Sequence, residues 1–439
     1  MKDYKEFFKD KKVTQLGLGL LGRGVNDALF LLENGVSDLI ITDLKTEAEL
    51  QESVDKLKQF KNVTFKLGDH DIKDFEGRDF ILKGAGVPLD SPYILHAKDK
   101  GIPIEMDASL FVKLLPADVT TIGVTGTRGK STTTHLICHI LKTAGKHTLL
   151  GGNVRDMATL PLIKEVREGD FVVLELDSWQ LQGFGESKIS PHVSVFTNFM
   201  DDHMNYYNGD MERYFVDKAN IFAYQKTEDI LVVGEALSQS VYFKNQTLNS
   251  KVLIAKNSTV PKDWKLKIIG EHNVANISDA IEACRALGIR EAQIKEGVES
   301  FGGVEGRLQF VKESGGVKIW NDNNATTPEA TIVALEALKE NIILFCGGAD
   351  KNIPIDDFAK KIVEKCKKII LLKGSGTEKL KPLLRDFVEV SSLEEGVTEA
   401  LKSAEGGGNF LFSPAFASFG MFKNEYDRND QFLKIVEKL

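Results

Sequence analysis

Gly126-Thr127-Arg128-Gly129-Lys130-Ser131 follows an apolar run, Val119-Thr120-Thr121-Ile122-Gly123-Val124, and opens into Thr132 to Leu141, whose apolar spacing suits a helix. Strand, glycine-rich turn and helix, in that order, are the context a phosphate loop needs. Glycines let the backbone approach phosphate oxygens, N–H groups at the helix start hold negative charge, and Lys130 adds a point charge. Ser131 is placed to offer its hydroxyl to Mg²⁺. Val124 stands where the general pattern has its first glycine, so the stretch is the shorter G-x-x-G-K-S form.

Composition narrows the class. The 439 residues suffice for about three domains of ordinary size. A net charge of -8 without a basic stripe speaks against nucleic acid as partner. The charged start, Met1-Lys2-Asp3-Tyr4-Lys5-Glu6, is unlike a secretory signal, and no apolar run approaches the roughly 18 residues of a membrane span. Cys138, Cys284, Cys346 and Cys366 lie far apart in apolar segments, as small core residues in a reducing compartment do. A cytoplasmic, multidomain α/β protein is expected.

The first unit begins with a strand at Val13–Leu16 and the turn Gly17-Leu18-Gly19-Leu20-Leu21-Gly22, followed by a helical pattern from Val25 to Glu33. A second strand ends on Asp43. A G-x-G-x-x-G turn with an acid about twenty residues on is the dinucleotide fingerprint, although any nucleoside diphosphate can use the same turn. Lys83-Gly84-Ala85-Gly86-Val87-Pro88 closes a further strand, where doubly wound sheets place ligands. The central unit carries strand runs ending at Glu175 and Asn198, the latter followed by Asp201-Asp202-His203. A helix predicted from Met211 to Tyr224 contains Lys218. The third unit starts near Gly302-Gly303 and alternates strands with helices, which predicts a second doubly wound sheet.

Several side chains suit chemistry. Glu175, at a strand end beside the phosphate loop, suits Mg²⁺; His203 suits a metal or a phosphate. Asn273 and Asn276 sit one helical turn apart, where they read a base or one caps the helix. Arg307 suits phosphate. Asn321-Asp322-Asn323-Asn324-Ala325-Thr326, Gly347-Gly348-Ala349-Asp350-Lys351 and Ser413 to Ser418 each follow a strand of the third unit, which predicts a substrate face there.

Together, and in the same order along nearly the whole chain, G-T-x-G-K-S at 126–131, Gly151-Gly152-Asn153, Leu174-Glu175-Leu176, Asn198 to Met204, Arg307, Asn321-Asp322 and Ser413-Pro414-Ala415 resemble the Mur ligases. The resemblance implies three domains: an N-terminal Rossmann-like UDP-binding domain (1–115), a central P-loop ATPase domain (116–303) and a C-terminal Rossmann-like amino-acid domain (304–439). It replaces the dinucleotide with the uridine diphosphate of a substrate, contacted by Leu20, Leu21, Asp43 and Gly86. It implies ATP-dependent amide formation, with ATP and Mg²⁺ as cofactors and a UDP-N-acetylmuramoyl-L-alanine and D-glutamate pair as substrates. By the resemblance, Gly126, Thr127, Arg128, Gly129, Lys130, Ser131 and Thr132 hold ATP phosphates, Asn273 and Asn276 meet adenine, and Arg307 and Asp322 meet phosphate and ribose. Lys130, Glu175, His203 and Lys218 are the implied catalytic residues. Ser131 and Glu175 serve one Mg²⁺ and His203 and Lys218 a second, with Lys218 carbamylated. Asn153 contacts the muramoyl substrate, and Thr326, Lys351 and Ser418 receive D-glutamate. No nucleic acid, no membrane insertion and a monomer are expected. The sequence departs from the family at Arg128 (for Asn), Asp177 (for Ser), Asn324 (for Lys) and Glu425 (for an aromatic). The last two leave open a ligase for another amino acid; a non-catalytic nucleotide-binding homologue is the other alternative.

Overall fold

The computed structural model describes residues 4–20, 22–155, 157–404 and 407–439. Leu21, one of the expected UDP contacts, lies outside them. Three sheets follow one another along the chain. In the first, β1 (Lys12–Leu16), β2 (Asp38–Asp43), β3 (Val63–Leu67), β4 (Phe80–Lys83) and β5 (Ile104–Glu105) are parallel in the order β3-β2-β1-β4-β5. The order reverses at β1, so a crevice opens beyond the C-terminal ends of β1 and β4. These strands are apolar on both faces because helices cover both; Val13, Leu39, Ile41 and Ile81 are fully buried.

The second sheet holds β6 (Thr120–Thr125), β7 (Thr148–Gly152), β8 (Phe171–Glu175), β9 (Val193–Phe196), β10 (Ile230–Gly234) and β11 (Lys251–Ala255), all parallel in the order β11-β10-β9-β6-β8-β7. β6 runs between β8 and β9, so the loop after β6 is flanked by the ends of both neighbours. The first two sheets belong to one compact unit, Met1–Pro261 with Ala275–Gly297.

The second unit, Lys262–Val274 with Val298–Leu439, is built on β12 (Gln309–Ser314), β13 (Val317–Asn321), β14 (Ile342–Gly347), β15 (Cys366–Leu372), β16 (Val388–Val390) and β17 (Gly408–Phe412). The order is β12-β13-β17-β14-β15-β16. The doubly wound reading holds for five parallel strands, and the sixth departs from it: β12 and β13 form an antiparallel hairpin through Gly315-Gly316. A positive φ at both glycines is what such a turn requires. Among the described residues no helix is long and apolar enough to cross a membrane.

Candidate active site

The crevice of the first sheet is a cavity of about 500 Å³ lined by the turn after β1 (Gly17 to Leu20), the end of β2 (Asp43 to Lys45), His70, and the glycine turn after β4 (Lys83 to Val87). Leu20, Asp43 and Gly86 therefore share one cavity. Asp43 is buried and its carboxylate accepts the backbone N–H groups of Leu18 at 2.8 Å, Gly19 at 3.0 Å and Lys45 at 2.9 Å. Burial pushes its pKa up, but the three N–H donors together outweigh it and hold the carboxyl below its ordinary value. A depressed carboxylate stabilises the fold above its unfolded pKa, about 3.9, and that contribution disappears as pH falls through the folded value. Asp43→Ala should therefore lose about 1–3 kcal/mol at neutral pH. Urea midpoints at neutral and acidic pH should show the gap from the parent closing in acid.

Beyond the C-terminal end of β6 the phosphate loop has the predicted form. Gly126 and Gly129 take φ of +149° and +82°, and Gly129 leads into the helix Lys130–Thr143. A side chain at Gly129 would collide with the Asn276 amide, and one at Gly126 with the Thr197 hydroxyl. Asn198 fixes the loop from the next strand, accepting the Arg128 N–H at 2.8 Å and donating to the Arg128 carbonyl at 3.1 Å. Lys130 and Lys218 both donate to the Gly126 carbonyl, each at 2.9 Å. Two ammonium groups on one acceptor repel. Lys218 is 1% exposed, lies 5.0 Å from the Tyr214 ring centre, and its pKa falls well below the ordinary lysine value, through burial first and Lys130 second.

His203 also stands in this group. Its φ of +55° places it in the left-handed region, and its ring packs 4.8 Å from Trp179. Burial lowers its pKa, Lys130 and Lys218 reinforce that, and Asp202 opposes it. Glu175 ends β8 with 4% exposure, and its carbonyl accepts the Asn153 N–H at 2.7 Å. Ser131 and Thr132 are buried in the first helical turn. Asp177 caps the helix Ser178–Ser187: it accepts the Gln180 N–H at 2.8 Å, and the Gln180 side chain accepts the Asp177 N–H at 3.4 Å. Asn276 stands next to Gly129. Asn273, one turn earlier on the helix Glu271–Ala286, donates its amide to the Ile269 carbonyl at 2.7 Å.

In the second unit the three polar strand-end loops are joined. β13, β17 and β14 are adjacent, and the Ala415 N–H bonds to Ala325 O while the Ala417 N–H bonds to Ala349 O. Lys351 donates to the Thr326 hydroxyl at 2.9 Å, and Ser418 is buried nearby on the third loop. Asp322 accepts the Leu308 N–H at 2.9 Å and the Ser413 hydroxyl at 2.7 Å, with exposed Arg307 as its nearest cation. Burial drives the Asp322 pKa up to about 7, against those donors. A raised carboxyl keeps its proton in the folded state after the unfolded chain has lost it. Stability should therefore fall by at most about 1.4 kcal/mol per pH unit as pH rises from roughly 4 to 7, then level. Asp322→Asn should flatten that slope in urea titrations.

The sequence reading missed three contributors. Arg23 hydrogen-bonds Asn153, Lys83 is buried beneath the glycine turn with its Nζ 2.6 Å from Val87 O, and Arg428 is buried behind the loops of the third sheet. The available signals were local oddities: an arginine in the first turn of a helix, and a lysine ending an otherwise apolar strand.

A parallel sheet with a phosphate loop between two acid- or amide-bearing strand ends, followed by a separate sheet with polar loops, defines a nucleotide-dependent ligase architecture. The family model for the Mur ligase middle domain matches residues 124–284, and that for the Mur ligase glutamate ligase domain matches 306–416. The chain belongs to the Mur ligase family. It is 33% identical to a UDP-N-acetylmuramoylalanine–D-glutamate ligase of Roseiflexus sp. (strain RS-1), over 97% of this chain and 98% of the relative. The ligase of the same name from Acetivibrio thermocellus is 34% identical over 100% and 99%. Among solved structures, the UDP-N-acetylmuramate-alanine ligase MurC of Thermotoga maritima matches with a TM-score of 0.60 at 20% identity, over 98% of this chain and 99% of that one. MurF ligase of Thermotoga maritima, in complex with ADP, matches with a TM-score of 0.60 at 16% identity, over 100% and 99%. These two establish the shared fold.

Proposed function

We propose that the protein is an ATP-dependent ligase that joins D-glutamate to UDP-N-acetylmuramoyl-L-alanine during peptidoglycan precursor synthesis. The observation that carries this is the end-to-end likeness, at about a third identity, to ligases of that name. Lys130, Glu175, His203 and Lys218 stand where the sequence resemblance implies catalytic residues. In this reading the domains are 1–115 for the UDP substrate, 116–303 for ATP and 304–439 for the amino acid. Leu20 and Leu44, 65% and 66% exposed at the cavity, offer apolar surface for the uracil, while Asp43 and Gly86 shape the wall.

The chemistry follows from the reactants. A carboxylate is a poor acyl donor, so its oxygen attacks the γ-phosphorus of ATP, ADP leaves, and an acyl phosphate forms. The amine of D-glutamate then adds to the acyl carbon, and the tetrahedral intermediate expels phosphate. Gly126 to Thr132 cradle the triphosphate, and Lys130 leaves the Gly126 carbonyl to meet it. Among the described residues no three His, Cys, Asp or Glu side chains gather as a metal site. Bound Mg²⁺ would take phosphate oxygens as ligands as well as protein side chains. Ser131 and Glu175 would hold one ion. His203 and Lys218 would hold a second, the Lys218 amine adding CO₂ with loss of a proton to present a carbamate oxygen. Bound Mg²⁺ would offset the repulsion between the anionic nucleophile and the triphosphate. Asn276 and Asn273 take adenine, Arg307 and Asp322 phosphate and ribose, and Thr326, Lys351 and Ser418 the dicarboxylate. The enzyme is read as monomeric and cytoplasmic.

Phosphate release from ATP and Mg²⁺ with UDP-N-acetylmuramoyl-L-alanine should depend on D-glutamate. A panel of other amino acids decides whether Asn324 and Glu425 have altered the acceptor. Release with none of them would overturn the reading.

A further inference from the structure

Arg23 is the first residue of the helix Arg23–Glu33 and lines the same cavity as Leu20, Asp43 and the glycine turn. It does not simply face solvent. One guanidinium nitrogen donates to Asn153 Oδ1 at 2.8 Å and the other to the Val154 carbonyl at 2.9 Å. The contact joins the start of the first sheet's leading helix to the loop after β7, within one compact unit. Two carboxyl groups lie within electrostatic reach of the guanidinium: Asp27, one turn along the same helix and buried, and Asp107, at the start of the helix Asp107–Leu114. Both line the cavity, and Arg23 counters the burial that raises each of them.

The chemistry of the pair fixes an orientation. A guanidinium has donors and no acceptor, so the amide atom of Asn153 that faces Arg23 must be the oxygen. The Asn153 Nδ2 group is then turned away with both hydrogens available. Without Arg23 the amide would be free to rotate by half a turn and offer oxygen instead. An amide fixed this way presents its Nδ2 hydrogens, which donate to a carbonyl or carboxylate oxygen.

We propose that Arg23 is a positioning residue for the UDP-linked substrate, locking Asn153 as a hydrogen-bond donor to an oxygen of the muramoyl-peptide end. This rests on the reading above that Asn153 contacts this substrate.

A double-mutant cycle tests it on the full-length enzyme, using UDP-N-acetylmuramoyl-L-alanine, ATP, Mg²⁺ and D-glutamate. Arg23→Met should raise the KM for the UDP substrate about tenfold, the effect of one charge-assisted hydrogen bond, with the KM for ATP and for D-glutamate unchanged. Arg23→Lys, which keeps a donor and the charge, should recover part of the loss. Asn153→Ala should raise the same KM, and adding Arg23→Met to it should change nothing further. An unchanged KM in Arg23→Met, or its full factor reappearing in the Asn153→Ala background, would overturn the proposal. Asn153→Ala without effect would instead overturn the assignment of Asn153, and the proposal with it. Circular dichroism of each variant separates these outcomes from misfolding.

Discussion

Lys218→Ala should reduce kcat by about two to three orders of magnitude while leaving the binding of the UDP substrate nearly unchanged. Lys218 is almost completely buried, touches the phosphate loop through the Gly126 carbonyl, and shares that acceptor with Lys130. Burial first and the neighbouring Lys130 second lower its pKa, which favours the uncharged amine, the form that reacts with CO₂. Carbamylation would add CO₂ to that amine, release a proton and leave an anion beside Lys130, where the two opposite charges attract. Activity should therefore fall when bicarbonate is stripped and return when it is restored. Gentle mass spectrometry of the parent should carry the added mass, and Lys218→Ala should not. Full turnover by Lys218→Ala would sink the assignment of Lys218 to the second metal.

Arg428→Met should destabilise the second unit by about 2–5 kcal/mol. Arg428 is fully buried on the helix Glu425–Glu437 and ties together two of the three strand-end loops, at Asn323 and Phe416. It donates to Asn323 Oδ1 at 2.8 Å, to the Asn323 carbonyl at 3.0 Å and to the Phe416 carbonyl at 3.3 Å. Burial lowers its pKa to about 10, and Glu425 opposes that. Methionine fills the space but leaves three buried acceptors unpaired. Hydrogen exchange should show protection lost first at 321–326 and 413–418, with the phosphate loop unaffected. A denaturation midpoint close to the parent's would show that these acceptors find other partners.

What could be read in advance divides along physical lines. Parallel strands buried on both faces announce themselves as short apolar runs, so β1 and β6 are legible to within a residue. The phosphate loop and the turn after β1 are local in sequence, and their glycines are required where φ is positive, as at Gly17, Gly19, Gly22 and Gly129. Two-residue β5 and three-residue β16 carry too little pattern to see. The helix holding Lys218 was extended to Tyr224 but ends at Ala219. From there Ile221, Phe222 and Ala223 turn back onto the carbonyls of Lys218 and Ala219, and nothing in the apolar spacing separates that turn from more helix. Arg23 and Arg428 escaped for a different reason. Their partners lie 130 and 105 residues away, and no local pattern reports such a distance.

Asp177 answers a question about the loop opposite it. A serine in that position can release a helix end and regain it at little cost, but this aspartate is committed by its bond to the Gln180 N–H and the return bond from the Gln180 side chain. Swinging towards Arg128 would uncap the helix Ser178–Ser187, so it is not a counter-ion for that arginine. Arg128 is exposed and makes no ion pair among the described residues. Arg128 thus adds an exposed positive charge to the phosphate loop of a protein whose overall charge is negative. A charge placed there draws a polyanion before any contact is made, and dissolved salt weakens that pull over a Debye length of about 8–10 Å.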